Sequence, residues 1–168
     1  MREVVYLSGP PGTGKSTVGR ELSNLLGCPF IDVDDFKPKR ARTLNEILDA
    51  FAKAGRRAAE HFATHERVIV AEAFLDLRPA RLSADQFVEL VSEELPRGTE
   101  ELHFYLWCDL DQAIERKRGT LGEDEVRRQF QRAPGRSFPG RTSLDSTNRD
   151  AAEIVAEIAL GLETNSPT

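Results

Sequence analysis

The sequence predicts an α/β fold in which a parallel sheet carries helices on both faces. Short apolar runs rich in β-branched residues alternate along the chain with segments whose apolar residues recur at helical spacing. The first apolar run, residues 4–7, leads directly into a glycine-rich loop and then a helical segment, residues 16–26. Strands that alternate with helices are typical of parallel sheets, because each crossover helix covers one face.

The predicted elements follow in order along the chain. Apolar runs of about four to eight residues are assigned as strands, and longer stretches with apolar residues three or four positions apart as helices. The strands are expected at residues 4–7, 29–33, 68–71, 102–107 and 143–145, and the helices at residues 16–26, 44–65, 83–95, 109–117, 123–132 and 150–162. Residues 163–168 are expected to form a frayed tail.

Local signals set several helix ends. Gly27 follows the first helix and is placed to cap its C-terminus. Thr43 and Glu46 have capping-box spacing at the start of the second helix. We expect Gly55 to interrupt that helix, because glycine costs about 1 kcal/mol relative to alanine in a helix interior.

The strongest functional signal is the loop between the first strand and the first helix. It fits the pattern G-x-x-x-x-G-K-[ST] at every position and extends by one hydroxyl residue, through Gly9, Pro10, Pro11, Gly12, Thr13, Gly14, Lys15, Ser16 and Thr17. The glycines let backbone N–H groups turn inward, and the helix N-terminus favours an anion. In such a loop Lys15 reaches the β- and γ-phosphates and Ser16 holds Mg²⁺. The loop therefore predicts a nucleotide site.

Acidic residues follow the second and third predicted strands. Ligands of parallel sheets bind beyond the carboxyl ends of the strands, so Asp32, Asp34, Asp35 and Glu72 are expected at the same edge as the loop. We assign Asp34 as the general base or orienting group for an acceptor hydroxyl, and Asp35 is the neighbour that could take its place. A buried carboxylate is costly unless paired, so Glu72 is expected to contact Mg²⁺ or the acceptor, or else an arginine.

The charge distribution predicts a basic lid. The chain has 168 residues and a net charge of −5, which disfavours a general nucleic-acid binder. Residues 116–141 nevertheless contain eight basic residues and three acidic ones, a pattern that suggests contact with a polyanion. We expect Arg118 to contact the transferred phosphoryl group, with Arg116 as the next candidate. Lys37 binds an anionic acceptor or is surface charge.

The remaining composition indicates one cytoplasmic domain over residues 1–168, with a lid at about residues 116–141. No stretch of 18 apolar residues predicts a membrane span, and the chain begins directly in its first strand, without a signal-peptide pattern. The two cysteines, Cys28 and Cys108, have no metal-site spacing and are expected to be small buried residues in a reducing compartment.

With these motifs the chain resembles the small P-loop kinases, the nucleoside-monophosphate-kinase-like group. That group includes shikimate and gluconate kinases, chloramphenicol phosphotransferase, zeta toxins and the kinase part of polynucleotide kinases. The resemblance covers essentially the whole chain. It implies a three-layer P-loop fold with strand order 2-3-1-4-5, a lid after the fourth strand, and ATP as the phosphoryl donor.

The resemblance also implies roles for particular residues. The run Phe30-Ile31-Asp32-Val33-Asp34 looks like the D-x-D of shikimate kinases, in which the first Asp helps the Mg²⁺ site and the second touches the acceptor hydroxyl. The run Asp34-Asp35-Phe36-Lys37 is similar to that of polynucleotide 5′-hydroxyl kinases, in which the first Asp of the pair is the base. The turn Leu144-Asp145-Ser146-Thr147 resembles the place where the adenine lies in this group.

Two features of the group are missing from the sequence. The glycine-rich substrate loop of shikimate kinases is replaced by Ala71-Glu72-Ala73-Phe74, and the histidine-containing lid of gluconate kinases is not found. We therefore expect neither shikimate nor gluconate as the acceptor. The leading prediction is an ATP- and Mg²⁺-dependent kinase that acts on a hydroxyl of another small molecule. The alternatives are a polynucleotide or nucleoside 5′-hydroxyl kinase, with a nucleic-acid partner less expected, and a nucleotide-binding ATPase or switch module.

Overall fold

The computed structural model describes residues 1–38, 43–72 and 84–164. Three ranges lie outside the described residues: 39–42, 73–83 and 165–168. The second range connects the third predicted strand to the third predicted helix, and the last belongs to the expected tail. All five predicted strands and all six predicted helices fall, at least in large part, within the described ranges.

Five parallel strands form one sheet. The strands are β1 (Glu3–Ser8), β2 (Phe30–Asp32), β3 (Arg67–Ala71), β4 (Glu100–Trp107) and β5 (Thr142–Asp145). Their order across the sheet is β2-β3-β1-β4-β5, and each neighbouring pair is parallel. The predicted α/β fold and strand order are therefore confirmed. The central strand β1 is buried along its whole length, as expected for a strand covered on both faces.

Helices cover both faces of this sheet. They are α1 (Lys15–Leu26), α2 (Leu44–His61), α3 (Ala84–Ser92), α4 (Leu110–Lys117), α5 (Glu123–Arg132) and α6 (Ala151–Thr164). Because side chains alternate along a strand, Val4 and Tyr6 of β1 join the core under α2 and α3, and Val5 and Leu7 join the core under α1 and α6. Because the strands are parallel, their carboxyl ends lie at one edge of the sheet.

A smaller apolar cluster joins α5 to α4 and to the residues after β4. Val126 and Phe130 of α5 pack with Cys108 and Ala113 at the start of α4. The second cysteine, Cys28, is buried in the core under α1, and both cysteines are free thiols, as expected. Among the described residues, no helix combines the length and the apolar character that a membrane span needs.

The prediction of a break at Gly55 is wrong. Helix α2 runs unbroken from Leu44 to His61, four residues short of the predicted end. A Cβ built on Gly55 would lie 2.6 Å from the carbonyl oxygen of Val91, so the glycine allows α3 to approach α2 closely. Close packing between helices therefore explains a residue that local propensity alone reads as a helix breaker.

The second strand is shorter than predicted. It ends at Asp32, and residues Val33–Phe36 form a single 3₁₀ turn. The side chain of Asp32 accepts a hydrogen bond from the backbone N–H of Asp34 at 3.1 Å, so this carboxylate caps the turn. The acidic pair Asp34 and Asp35 therefore lies in this turn and not in the strand.

Candidate active site

A cavity of about 740 Å³ opens at the carboxyl ends of the strands. It is lined by the glycine loop and the start of α1, by Asp32 and Asp34, and by residues of the segment 116–132 and of the region between β5 and α6. The residues from these last two parts of the chain include Arg116, Lys117, Thr120, Gln129, Ser146 and Arg149. Of these, Arg149 lies outside the segments that the sequence singled out, the basic segment of residues 116–141 and the turn of residues 144–147.

The glycine loop is held by close backbone packing. Gly12 has a φ of +81°, and a Cβ built there would lie 2.8 Å from both the Cα and the carbonyl oxygen of Ala113 in α4. A Cβ on Gly9 would lie 2.1 Å from the carbonyl oxygen of Leu106 in β4. Inside the loop, the hydroxyl of Thr13 donates to the carbonyl oxygen of Pro10 at 2.9 Å. The sequence pattern is therefore required by the backbone path as well as by a ligand.

Lys15 folds back over the loop. Its Nζ donates to the carbonyl oxygens of Gly9 at 2.7 Å and Pro10 at 2.8 Å. Burial lowers the pKa of this ammonium group from 10.5 to about 8, with Asp34 and Asp32 partly opposing the shift. A cation with its hydration removed gains most from a nearby polyanion, so this position suits a phosphate group.

Ser16 and Asp32 form a hydroxyl–carboxylate pair beside the loop. The Ser16 hydroxyl donates to Oδ2 of Asp32 at 2.6 Å, and Asp32 is buried. No group of three histidine, cysteine or acidic side chains within the described residues could hold a metal ion by itself. Mg²⁺ is commonly bound by one or two protein oxygens together with phosphate and water, so the pair fits a nucleotide-bound Mg²⁺.

Asp34 faces the cavity and is paired with Lys37. The Nζ of Lys37 lies 2.5 Å from Oδ1 of Asp34, and their side chains are 1% and 59% exposed. Lys37 is therefore not surface charge, which rules out one of its two predicted roles. Asp35 is exposed and is not among the described residues that line the cavity, so the geometry distinguishes it from Asp34.

Glu72 lies at the end of β3 in a buried ion pair. Nη1 of Arg141 donates to Oε1 of Glu72 at 2.9 Å and to the Ser8 hydroxyl at 2.5 Å. Burial raises the pKa of Glu72, while Arg141 acts in the opposite direction. The sequence left Glu72 a contact with Mg²⁺, with the acceptor or with an arginine. The structure contains the contact with an arginine. A buried carboxylate indicated that a partner was needed, but not that the partner follows it by 69 residues.

The two candidate arginines, Arg116 and Arg118, occupy different places. Arg116 lines the cavity, and its guanidinium donates to the carbonyl oxygens of Gly12 at 3.2 Å and Ser146 at 2.9 Å. Arg118 is 75% exposed, pairs with Glu115, and is not among the described residues that line the cavity. The geometry thus brings Arg116, the second candidate, next to the glycine loop. Which of the two contacts the transferred phosphoryl group stays a prediction.

Ser146 joins the β5–α6 turn to the glycine loop. Its buried hydroxyl donates to the carbonyl oxygen of Thr13 at 2.9 Å and lies within hydrogen-bond distance of the Trp107 carbonyl oxygen. Arg116 contacts the same serine. The turn that resembles an adenine-binding turn is therefore fixed against the loop expected to bind the phosphates.

Comparisons with known proteins identify relatives of this chain. A model of the shikimate kinase family matches residues 11–76. The shikimate kinase of Corynebacterium efficiens is 30% identical over 178 residues, an alignment that covers 96% of this chain and 98% of that protein. The shikimate kinase of Halorhodospira halophila is 49% identical over 57 residues, 33% of this chain and 32% of that protein.

Solved structures share the fold at lower sequence identity. A gluconokinase from Sinorhizobium meliloti superposes with a TM-score of 0.68 and 22% identity, over 99% of this chain and 100% of that one. The shikimate kinase from Acinetobacter baumannii in complex with shikimate gives a TM-score of 0.60 and 22% identity, over 100% and 97%. The chain therefore belongs to the shikimate kinase family of small P-loop kinases, and it is an ATP-dependent phosphotransferase that acts on a hydroxyl group of a small molecule.

Proposed function

We propose that this protein transfers the γ-phosphoryl group of Mg²⁺-bound ATP to a hydroxyl group that Asp34 orients and deprotonates. One observation carries the proposal. The phosphate loop and the carboxylate of Asp34 line the same cavity, and the Ser16–Asp32 pair lies in its wall. Phosphoryl transfer depends mainly on positioning and on neutralising charge, and this cavity offers groups for both.

Each side chain would have a distinct task. The backbone N–H groups of the loop and Lys15 would bind the β- and γ-phosphates. Ser16 and Asp32 would hold Mg²⁺, which would neutralise charge on the phosphates. As the acceptor oxygen bonds to the γ-phosphorus, its proton would pass to Asp34 and the bond to ADP would break. Arg116 or Arg118 would stabilise charge on the transferred group.

The other predicted site residues are less directly supported. Asp35 lies beside Asp34 but outside the cavity lining, so it is proposed only as a rim contact for the acceptor. Glu72 would reach Mg²⁺ or the acceptor only if Arg141 released it. We further propose that residues 1–168 act as one domain and that residues 116–141 form the lid over the nucleotide.

The identity of the acceptor is a separate question. The named relatives make shikimate the first compound to test, and the gluconokinase neighbour adds gluconate. Against shikimate stands the sequence Ala71-Glu72 at the end of β3, where the family has a glycine-rich substrate loop. Our prediction is therefore that another small hydroxylated molecule is the better substrate.

The test is a transfer assay with γ-labelled ATP and Mg²⁺. The acceptor panel contains shikimate, gluconate, other polyols and an oligonucleotide with a free 5′-hydroxyl. Asp34→Asn is expected to lower turnover by ~10²-fold or more while the ATP Kd stays within about twofold, since the loss falls on proton transfer. Asp35→Asn is the matched control and is expected to keep most of the activity.

Several results would count against the proposal. Unchanged turnover in Asp34→Asn would remove the base from the mechanism. Label transferred only to the oligonucleotide would favour the polynucleotide kinase alternative, and strong weakening by salt would support that outcome. If labelled phosphate is released and no acceptor in the panel becomes labelled, the result would favour an ATPase or switch module.

A further inference from the structure

Lys37 is a buried lysine whose ammonium group forms an ion pair within the molecule. Its side chain is 1% exposed, and its Nζ lies 2.5 Å from Oδ1 of Asp34, which is largely exposed. An ammonium group loses its hydration when it is buried, and an apolar side chain of similar size often serves stability better. A buried lysine whose ammonium contacts a carboxylate at the cavity wall therefore points to a role in the site rather than in the core.

The neighbouring backbone fixes the same residue. The N–H of Asp34 donates to Oδ1 of Asp32 at 3.1 Å, and the N–H of Lys37 donates to the carbonyl oxygen of Asp34 at 3.2 Å. These two bonds fix the main chain of the 3₁₀ turn on both sides of Asp34. The contact from Lys37 then restrains the carboxylate itself, so both the backbone and the side chain of Asp34 are held.

The position of the ammonium group is set by the core. The Nζ of Lys37 lies 5.6 Å from the centre of the Phe51 ring, over its face. Phe51 belongs to α2 and is fully buried beneath the sheet. A cation over an aromatic face is attracted to it, so Lys37 connects a rigid part of the core to the carboxylate at the cavity.

We propose that Lys37 is a positioning residue that aims the Asp34 carboxylate at the acceptor hydroxyl. This inference rests on the proposed function, in which Asp34 receives the acceptor proton. A carboxylate restrained in one orientation loses little freedom when the reacting atoms align, and such restraint acts on turnover more than on binding. The alternative is the role expected from the sequence, in which Lys37 binds an anionic acceptor directly.

The test compares Lys37→Met with Lys37→Arg, using the best acceptor from the panel. Lys37→Met should lower kcat by ~10-fold or more, with the acceptor KM and the ATP Kd within about threefold of wild type. Lys37→Arg keeps a cation near Asp34 and should restore most of the lost kcat. Lys53→Met is the control, because Lys53 pairs with Asp49 on the exposed face of α2. Urea unfolding checks the fold, and Lys37→Gln replaces the methionine variant if that variant fails to fold.

Combination with Asp34→Asn separates this inference from the proposed function. If Lys37 acts through Asp34, adding Lys37→Met to Asp34→Asn should cause no further loss of kcat. An equal loss in both backgrounds would overturn the inference, and so would a raised acceptor KM with unchanged kcat. Full activity of Asp34→Asn alone would instead refute the proposed function, so the two failures give different results.

Discussion

Gly12→Ala tests whether the phosphate loop depends on contact with α4. Gly12 has a φ of +81°, which an L-residue rarely adopts, and the new Cβ would lie 2.8 Å from the Cα and the carbonyl oxygen of Ala113. Both of these atoms are backbone, and Ala113 is fully buried. The overlap can therefore be relieved only if the loop and α4 move apart.

The size of the effect can be estimated from these two causes. The left-handed conformation costs about 1–2 kcal/mol for a residue with a Cβ. Overlap in a packed region costs typically about 1–3 kcal/mol. Together they predict a penalty of about 2–5 kcal/mol, divided between the free energy of unfolding and the binding of ATP. If half of the penalty appears in binding, the ATP Kd rises by roughly 5- to 70-fold.

The assay pairs urea unfolding with calorimetric titration of Mg²⁺–ATP. Gly27→Ala is the matched control, because Gly27 also has a positive φ of +62° but caps α1 with no described atom within 4 Å of a new Cβ. It should lose about 1 kcal/mol of stability and keep its ATP affinity. If Gly12→Ala behaves like Gly27→Ala in both measurements, the packing argument is incorrect.

Three further predictions concern charge and packing. Burial lowers the pKa of Lys15 from 10.5 to about 8, so between pH 8 and 10.5 the folded state holds fewer protons than the unfolded state. In that range the free energy of unfolding should rise with pH, while the affinity for ATP should fall. Lys15→Met should remove both trends, as measured by unfolding and by ATP titration at a series of pH values. Arg141→Met should cost about 3–5 kcal/mol in urea unfolding by leaving Glu72 buried without this partner, and adding Glu72→Gln should recover part of the loss. Gly55→Ala should destabilise the protein by about 1–3 kcal/mol, whereas Gly161→Ala, whose Cβ would lie 3.7 Å from the Phe104 ring, should stabilise it by up to about 1 kcal/mol, as measured by thermal unfolding.

Local patterns predicted most of the fold because they reflect local physics. Short apolar runs located every strand to within a few residues, and the loop that ends at Lys15 and Ser16 marked the junction of β1 and α1. The rule that ligands bind beyond the carboxyl ends of strands brought Asp32 and Asp34 to the same edge as this loop. Those inferences needed only the order of the elements.

The errors arose where distant parts of the chain meet. Gly55 was read as a helix breaker because its contact with Val91 cannot be seen in a local window. In the same way, nothing close in sequence to Glu72 indicates that Arg141 is its partner. Lys37 contacts Phe51 of α2, a residue 14 positions away in sequence, so the residues around Lys37 gave no sign that it is buried.

The residues that follow α5 are attached to the sheet at several points. The Tyr105 hydroxyl donates to the carbonyl oxygen of Gly135 at 3.0 Å, Arg136 pairs with Asp109 at 2.8 Å, and Arg141 is buried against Glu72. On the other side of α5, a Cβ on Gly119 or Gly122 would meet no described atom within 4 Å.

The contacts of this segment with distant parts of the chain therefore gather at the carboxyl end of α5. A rotation of α5 about its carboxyl terminus would displace the residues near Gly122 the most. Such a motion would separate Val126 and Phe130 from Cys108 and Ala113, and the Phe130 ring from the Trp107 ring, 5.1 Å away between centroids.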